Sequence, residues 1–334
     1  MRYLVFGAGA IGSTIGGHMF RAGHEVILIG RHQHVNAIKN SGLKLITGEE
    51  LFNLQIPAVT SIDQIAPIKR EDVILLTVKT QHTAQSISQL QLYFNNFELP
   101  IICCQNSIWN EPYAHRILER VYGAVIYVAA TYLTAGEVVN PRTGDFGYIE
   151  IGNYPKGQDE FCKTVVKDLQ KASFAAIATS SIMHVKGAKL LGNLGNAVSA
   201  ITGTSDGSKE FLIKTREEAI DVLSLAGIPF ESLAVFDQRR RKTYKGTNIW
   251  PQKHAGSPAR GGSSWQSLAR GTGNIESEFL NGEIVKLGRM LGIKTPYNEI
   301  LWHHAQQMAD NMTQPGYYNV DHLHKEVELL SQKK

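Results

Sequence analysis

One lysine and two asparagines in the second half of the chain have the types and spacing for carbonyl chemistry. In Lys186-Gly187-Ala188-Lys189-Leu190-Leu191-Gly192-Asn193-Leu194-Gly195-Asn196, residues Lys189, Asn193 and Asn196 recur at i, i+4 and i+7. On a helix they share one face, while Leu190, Leu191, Leu194, Val198 and Ile201 cover much of the remainder. Buried polar groups need partners, and one ligand could satisfy all three. A desolvated lysine gives up its proton more readily, which suits a general acid. The alternative is an interdomain hydrogen-bond network with no catalysis. Two further candidates end apolar runs in the first half: Lys79 after Leu75-Leu76-Thr77-Val78, and Asn106 after Ile101-Ile102-Cys103-Cys104-Gln105. Both stand where buried strands would deliver residues to a cofactor or substrate. The alternatives are a surface lysine and an asparagine closing a local turn. Glu276 falls at the start of a helical pattern, where the helix dipole would favour it in any case.

A nucleotide site is written at the other end of the chain. Arg2-Tyr3-Leu4-Val5-Phe6 reads as a buried strand and runs into Gly7-Ala8-Gly9-Ala10-Ile11-Gly12. A helical stretch follows to about Ala22, then the apolar run Glu25-Val26-Ile27-Leu28-Ile29. This is the context that a dinucleotide-binding turn requires. Gly7 allows the tight turn, Gly9 lets the backbone approach a pyrophosphate, and Gly12 lets the helix pack closely on the strand. Ala10 and Ile11 open the helix whose N-terminus would hold the phosphates. After the second strand come Gly30-Arg31-His32, with no acid for the adenine ribose. Arg31 offers a planar fork for a 2′-phosphate, so the expected cofactor is NADP(H).

These residues need a scaffold of two kinds. Strand-like runs near 2–6, 25–30, 43–47, 72–78, 100–104 and 123–130 alternate with helical stretches such as Thr80–Tyr93 and Glu111–Val121. That alternation predicts an α/β fold, with a Rossmann-type doubly wound sheet at the N-terminus. Segments near 136–140 and 146–151 should close it with antiparallel pairs, followed by a helix over Asp159–Ala172. Long helical patterns then dominate, at 183–201, 208–226, 276–292 and 297–311. The expected domains are 1–180 for NADP binding, an all-helical 181–325 for substrate and catalysis, and a tail at 326–334, with order declining from about Gln314. The basic, Gly- and Pro-containing stretch 239–262 reads as a long surface loop.

The 334 residues, 43% hydrophobic and 19% charged, are too many for one small core and suit a soluble protein. No apolar run is long enough to span a bilayer, and the start shows no signal-peptide pattern. Cys103, Cys104 and Cys162 have no metal-ligand spacing, and no metal is expected. Cys103 and Cys104 should face opposite sides of a strand. A reduced, cytoplasmic protein is the expectation. The net charge of +4 suits small anions and does not argue for nucleic acid.

With these motifs in this order, nearly the whole chain resembles the ketopantoate reductase (2-dehydropantoate 2-reductase) family. The resemblance implies a 6-phosphogluconate-dehydrogenase-like architecture: a Rossmann domain, a helical domain, and an active site in the cleft between them. It implies NADPH-dependent reduction of the ketone of ketopantoate to D-pantoate, a step of pantothenate biosynthesis. By the same resemblance Gly7, Gly9 and Gly12 match the nucleotide loop, and Arg31 matches the holder of the 2′-phosphate. Lys79 and Asn106 match cofactor-side residues. Lys189 matches the general acid and Asn193 an active-site amide. Ser264 and Glu276 match the serine and glutamate that bind substrate.

Three positions depart from the family pattern. Its second asparagine falls at Ala197, with Asn196 one position earlier; its Asn-Gly turn continues with Ser107; and the basic loop 239–262 is long. All three concern the substrate side, so a reductase of another keto substrate is the first alternative. A non-catalytic NADPH-binding sensor is the second. The expected partner is a small 2-oxo acid, with no nucleic acid and no membrane, and a homodimer is left open.

Overall fold

The computed structural model describes residues 1–48, 50–65, 67–93, 99–132, 134–203, 205–249, 262–271, 273 and 275–332. The chain forms two compact units: Met1–Lys186 with Ala234–Ala255, and Gly187–Leu233 with Gly256–Lys334. The expected boundary lies near 180; the first change of unit falls after Lys186, and Ala234–Ala255 also belongs to the first unit. The chain changes unit within a helix and later sends one segment back to the first unit.

The first unit runs β1 (Arg2–Phe6), α1 (Ala10–Arg21), β2 (Glu25–Ile29), α2 (His32–Ser41), β3 (Leu43–Thr47), β4 (Glu50–Leu54), β5 (Ala58–Val59), β6 (Asp72–Leu76), α3 (Thr83–Tyr93), β7 (Ile101–Cys103), α4 (Asn110–His115), β8 (Val121–Tyr127), β9 (Thr131–Tyr132), β10 (Glu137–Asn140), β11 (Arg142–Thr143), β12 (Tyr148–Asn153), α5 (Glu160–Lys171) and β13 (Ala175–Ala178). Its main sheet has eight strands in the order β13-β12-β8-β7-β6-β1-β2-β5. All pairs are parallel except β12 with β8. A second sheet has the order β4-β3-β10-β9.

Period-two alternation explains why the central strands are apolar throughout. Tyr3, Val5, Val73, Leu75 and Ile102 pack into one core, while Leu4, Phe6, Ile74, Leu76 and Ile101 pack into another. Cys103 and Cys104 divide between these cores, as period two requires. At the amino end of the sheet Arg2 faces Asp72 in register across β1 and β6. Its guanidinium donates to both carboxylate oxygens, at 2.8 and 2.6 Å.

The expected helix 111–121 is short: α4 ends at His115 and β8 begins at Val121. Of the two segments expected in antiparallel closure, only β12 takes that place beside β8. The other, β10, lies in the second sheet, parallel to β3 and antiparallel to β9.

The helix α6 (Ile182–Asn193) leads into the second unit, followed by α7 (Gly195–Thr202) and α8 (Asp206–Leu225). Then α9 (Leu233–Thr243) and β14 (Thr247–Asn248) occupy the first part of the expected loop. Arg239 of α9 binds the buried Glu150 of β12 through Nε and Nη2, and β14 pairs with β11. Residues 250–261 of that loop lie outside the described residues. The second unit resumes with α10 (Ser263–Ala269), α11 (Asn281–Leu291), α12 (Pro296–Asp310) and α13 (Val320–Gln332). The expected tail is therefore mostly helix, with Leu323 and Val327 buried in the same core as Leu301 and Ala305 of α12. Glu218 of α8 accepts from the backbone N–H groups of Tyr297 and Asn298 at 2.9 and 3.0 Å, anchoring the start of α12. Burial pushes its carboxyl up to about 6.

Candidate active site

The strand order reverses direction at β1, which lies between β6 and β2. Crevices of this kind, at the carboxyl ends of the strands, are where doubly wound sheets bind ligands. The glycine turn occupies that position. Gly7 has φ +117°, and a Cβ there would stand 2.5 Å from Val78 N. A Cβ on Gly12 would meet Gly7 O at 2.3 Å and Thr77 Oγ1 at 2.5 Å. Thr77 Oγ1 in turn donates to Gly7 O at 2.9 Å. Gly9 differs, because a Cβ there would meet nothing closer than 4.0 Å. It is exposed and caps α1 without a side-chain hydrogen bond, and the first turn of α1 has no acid. The strained close packing thus falls on Gly7 and Gly12, and the open backbone on Gly9. Ala10 and Ile11 form the partly exposed first turn of α1. This cradle fits a dinucleotide pyrophosphate, with free N–H groups at a helix start.

Arg31 stands exposed between β2 and α2, and the first turn of α2 has no acid. Three residues later His34 ties α2 inward. Its Nδ1 accepts from Gly136 N at 2.9 Å, so the protonated Nε2 faces Ser13 Oγ at 3.0 Å. Burial, followed by the Arg31 charge, pushes His34 down to about 4, which keeps the ring neutral. Arg31 itself faces solvent at this strand end.

Lys79 is half-buried and precedes the 3-10 turn Thr80–His82, on the same connection that touches Gly7. Asn106 is half-buried in the turn after β7. Its carbonyl accepts from Thr80 Oγ1 at 3.1 Å and from Asn110 Nδ2 at 2.7 Å. Thus the Lys79 and Asn106 turns are joined by Thr80. Ser107 has φ +77°, a left-handed backbone that glycine adopts without strain. Where the resemblance implies a glycine, Ser107 takes a backbone conformation that glycine also adopts. Trp109 N donates to Ser107 Oγ at 3.2 Å.

In the second unit the expected helix 183–201 divides at Leu194, so Asn193 ends α6 and Asn196 lies in α7. Lys189 is half-buried and Asn193 buried. Asn196 donates to Ser263 Oγ at 3.3 Å, which brings the start of α10 to it. Ser264, next along α10, is buried. Glu276 precedes a 3-10 turn, Ser277–Phe279, and α11 starts only at Asn281. Glu276 therefore does not stand at the start of an α-helix. Ala197, Leu268 and Ile275 share one buried cluster, which holds the α7, α10 and Glu276 segments together. Ala197 leaves no polar group at the family's second asparagine position.

Sequence reasoning missed Lys186 and Glu111. They form a buried ion pair directly behind the Asn106 turn. They are 75 positions apart, and no local pattern announces such a pair. Among the described residues no group of three or more His, Cys, Asp and Glu could hold a metal, and no helix is long and apolar enough to cross a membrane.

Comparison with known proteins gives the family. Residues 3–156 match the family model described as Ketopantoate reductase PanE/ApbA, and residues 181–309 match its C-terminal counterpart. The 2-dehydropantoate 2-reductase of Pyrococcus horikoshii is 29% identical over 314 residues, covering 90% of this chain and 95% of that protein. That of Aquifex aeolicus is 26% identical over 318 residues, covering 90% and 94%. The crystal structure of a PanE/ApbA family ketopantoate reductase from Ralstonia eutropha JMP134 aligns with a TM-score of 0.76 at 27% identity, covering 94% of this chain and all of that one. D-mandelate dehydrogenase, in its ternary structure with NADH and anilino(oxo)acetate, aligns at 0.77 with 21% identity, covering 93% and 99%. At that identity it shows a shared fold alone. With both family models matched over most of its length, the chain belongs to the ketopantoate reductase family of oxidoreductases.

Proposed function

We propose that this protein reduces a 2-oxo acid with NADPH, and that ketopantoate, giving D-pantoate for pantothenate biosynthesis in the cytoplasm, is the first substrate to test. The observation that carries the reading is the glycine cradle of Gly7, Gly9 and Gly12, followed at the next strand end by exposed Arg31 with no acid beside it. NADPH fits the open Gly9 backbone through its pyrophosphate and Arg31 through its 2′-phosphate, with Lys79 and Asn106 on the nicotinamide side. When bound, it supplies a hydride to the C2 carbonyl carbon of the substrate.

Negative charge then grows on the carbonyl oxygen. Lys189, as an ammonium, stabilises that charge and gives the oxygen its proton, leaving a neutral amine and a 2-hydroxy acid. Asn193 orients the carbonyl through its amide N–H. Ser264 and Glu276 hold the substrate, and Glu276 suits a hydroxyl, since a substrate carboxylate would repel it. Asn196, already engaged with Ser263, shapes the substrate side.

A second reading keeps this mechanism and changes the substrate. Ala197 is buried in an apolar cluster, so the amide that the family pattern places there is missing. A 2-oxo acid with a more apolar side chain than ketopantoate would lose least by that change.

The test is NADPH oxidation with ketopantoate beside a panel of 2-oxo acids, in wild type and Lys189→Ala. Loss of roughly 10²–10⁴-fold in kcat with NADPH affinity retained is expected of a missing general acid. Full turnover by Lys189→Ala would remove Lys189 from the mechanism. Activity confined to another 2-oxo acid would move the substrate and keep the chemistry.

A further inference from the structure

The turn that carries Asn106 is held from behind by charges that the mechanism above does not use. Lys186 is 3% exposed and Glu111 is fully buried. The Lys186 ammonium pairs with Glu111 Oε1 and also donates to Gln105 O at 3.0 Å. Gln105 and Glu111 bracket the turn, so one ammonium ties its two ends. Inside this bracket the side chains form a relay. Gln105 Nε2 donates to Thr83 Oγ1 at 3.0 Å, Thr83 Oγ1 to Asn110 Oδ1 at 2.7 Å, and Asn110 Nδ2 to Asn106 O at 2.7 Å. The relay ends on the backbone of the residue assigned to the cofactor. Ser107, the next residue, keeps a left-handed backbone that must be held by its surroundings.

Nothing else charged is needed to explain the pair. The neighbouring Cys103 and Cys104 are buried thiols, pushed up by desolvation, Cys104 to about 12. Beneath lies β8, where a Cβ on Gly123 would come within 3.3 Å of Glu111 Oε1 and 3.0 Å of Ile182 Cγ1. A glycine at that place leaves room for the carboxylate. A buried ion pair is weak as a source of net stability, since well-packed apolar residues of similar volume often do as well or better. Its directional bonds are what apolar residues cannot copy.

We infer that Lys186 and Glu111 are positioning residues, which hold the Gln105–Glu111 turn so that Asn106 meets the bound nicotinamide nucleotide in one orientation. The inference rests on the cofactor side of the function proposed above. The same ammonium also pins the first half of α6, the helix that runs on through Lys189 to Asn193.

The experiment is a double-mutant cycle between the pair and Asn106. Lys186→Met/Glu111→Leu replaces both charges with apolar groups, and Asn106→Ala is made alone and in that background. Thermal midpoint, NADPH affinity by fluorescence titration, and kcat and KM on the best 2-oxo acid are read for all four proteins. The apolar pair should keep a midpoint near that of wild type and lose roughly tenfold in kcat or NADPH affinity. Adding Asn106→Ala to it should then cost far less than in wild type. Unchanged kinetics in the apolar pair, or losses that simply add, would overturn the inference and show a purely structural pair. If the apolar pair does not fold, Glu111→Gln enters the same cycle. If wild type turns over no 2-oxo acid, the proposed reaction fails, while coupling in NADPH affinity still decides the positioning role.

Discussion

Arg2–Asp72 and Lys186–Glu111, two buried ion pairs of the first unit, lie at opposite ends of one sheet and are built differently. Arg2 and Asp72 sit at the amino end, on adjacent strands and in register. Asp72 takes two bonds from Arg2 and a third from Lys69 N at 2.7 Å, while Arg2 also donates to Pro67 O at 3.0 Å. Lys186 and Glu111 sit behind a turn at the carboxyl end. There Glu111 Oε2 has no hydrogen-bond partner among the described residues, and desolvation pushes its carboxyl up despite the lysine. The satisfied pair locks two strands; the under-satisfied pair borders residues assigned to the cofactor. A buried charge is thus no single kind of evidence. Its remaining bonds, and the end of the sheet it occupies, show which task it performs.

The largest effect should come from breaking the amino-end pair. Asp72→Ala leaves the Arg2 guanidinium buried without its partner, which should cost about 3–5 kcal/mol in urea unfolding. Turnover per folded molecule should stay close to wild type. A loss of turnover at constant fold would erase the proposed division between the two ends. Acid should act through two buried histidines. His34 is pushed down to about 4 and His18 to about 3, both mainly by burial. The unfolded chain therefore binds protons that the folded one refuses, and stability present above pH ~6.5 is lost as pH falls through that range. Urea midpoints measured between pH 7.5 and 4 should show this slope, and His34→Gln should make it shallower. An unchanged slope would mean that His34 takes up its proton as readily in the folded chain as in the unfolded one. The smallest effect belongs to Ser107→Gly. Relief of a left-handed backbone is offset by added unfolded-state entropy and the lost Trp109 contact, so stability should shift by less than about 1 kcal/mol. Turnover should persist. A collapse in turnover would show that the serine hydroxyl itself takes part.

The nucleotide half of the site is legible in the sequence because its pattern is local. Gly7, Gly9 and Gly12 fall in one short stretch from the end of β1 into α1, and that spacing is visible in the sequence, although the contacts that exclude a Cβ at Gly7 and Gly12 include Val78 and Thr77 of a distant connection. Arg31 follows from its place after β2. The opposite faces of Cys103 and Cys104 follow from period two. The second unit is less legible. Periodicity ran through Leu194, where the helix divides, and through Glu276, where a 3-10 turn stands instead of a helix start. The composition of 239–249 looked like loop because its basic residues had no visible partners. In the structure Arg239 finds Glu150, and Arg240 finds Asp237 and the Tyr127 ring. Asp237 is only three residues from Arg240, but the Glu150 and Tyr127 partners are distant in the sequence, so no window along the chain contains them. The helix Val320–Gln332 escaped for the same reason, since Leu323 and Val327 make sense only beside α12.

The return of Ala234–Ala255 to the first unit bears on how the protein can be divided. A gene fragment stopped after Lys186 would encode every strand of the main sheet. It would nevertheless strip β11 of its partner β14 and leave the carboxylate of Glu150 sealed in the sheet without the guanidinium of Arg239. Chimaeras that exchange the nucleotide-binding half between relatives must therefore carry two separate inserts, the second taken from the middle of the helical half.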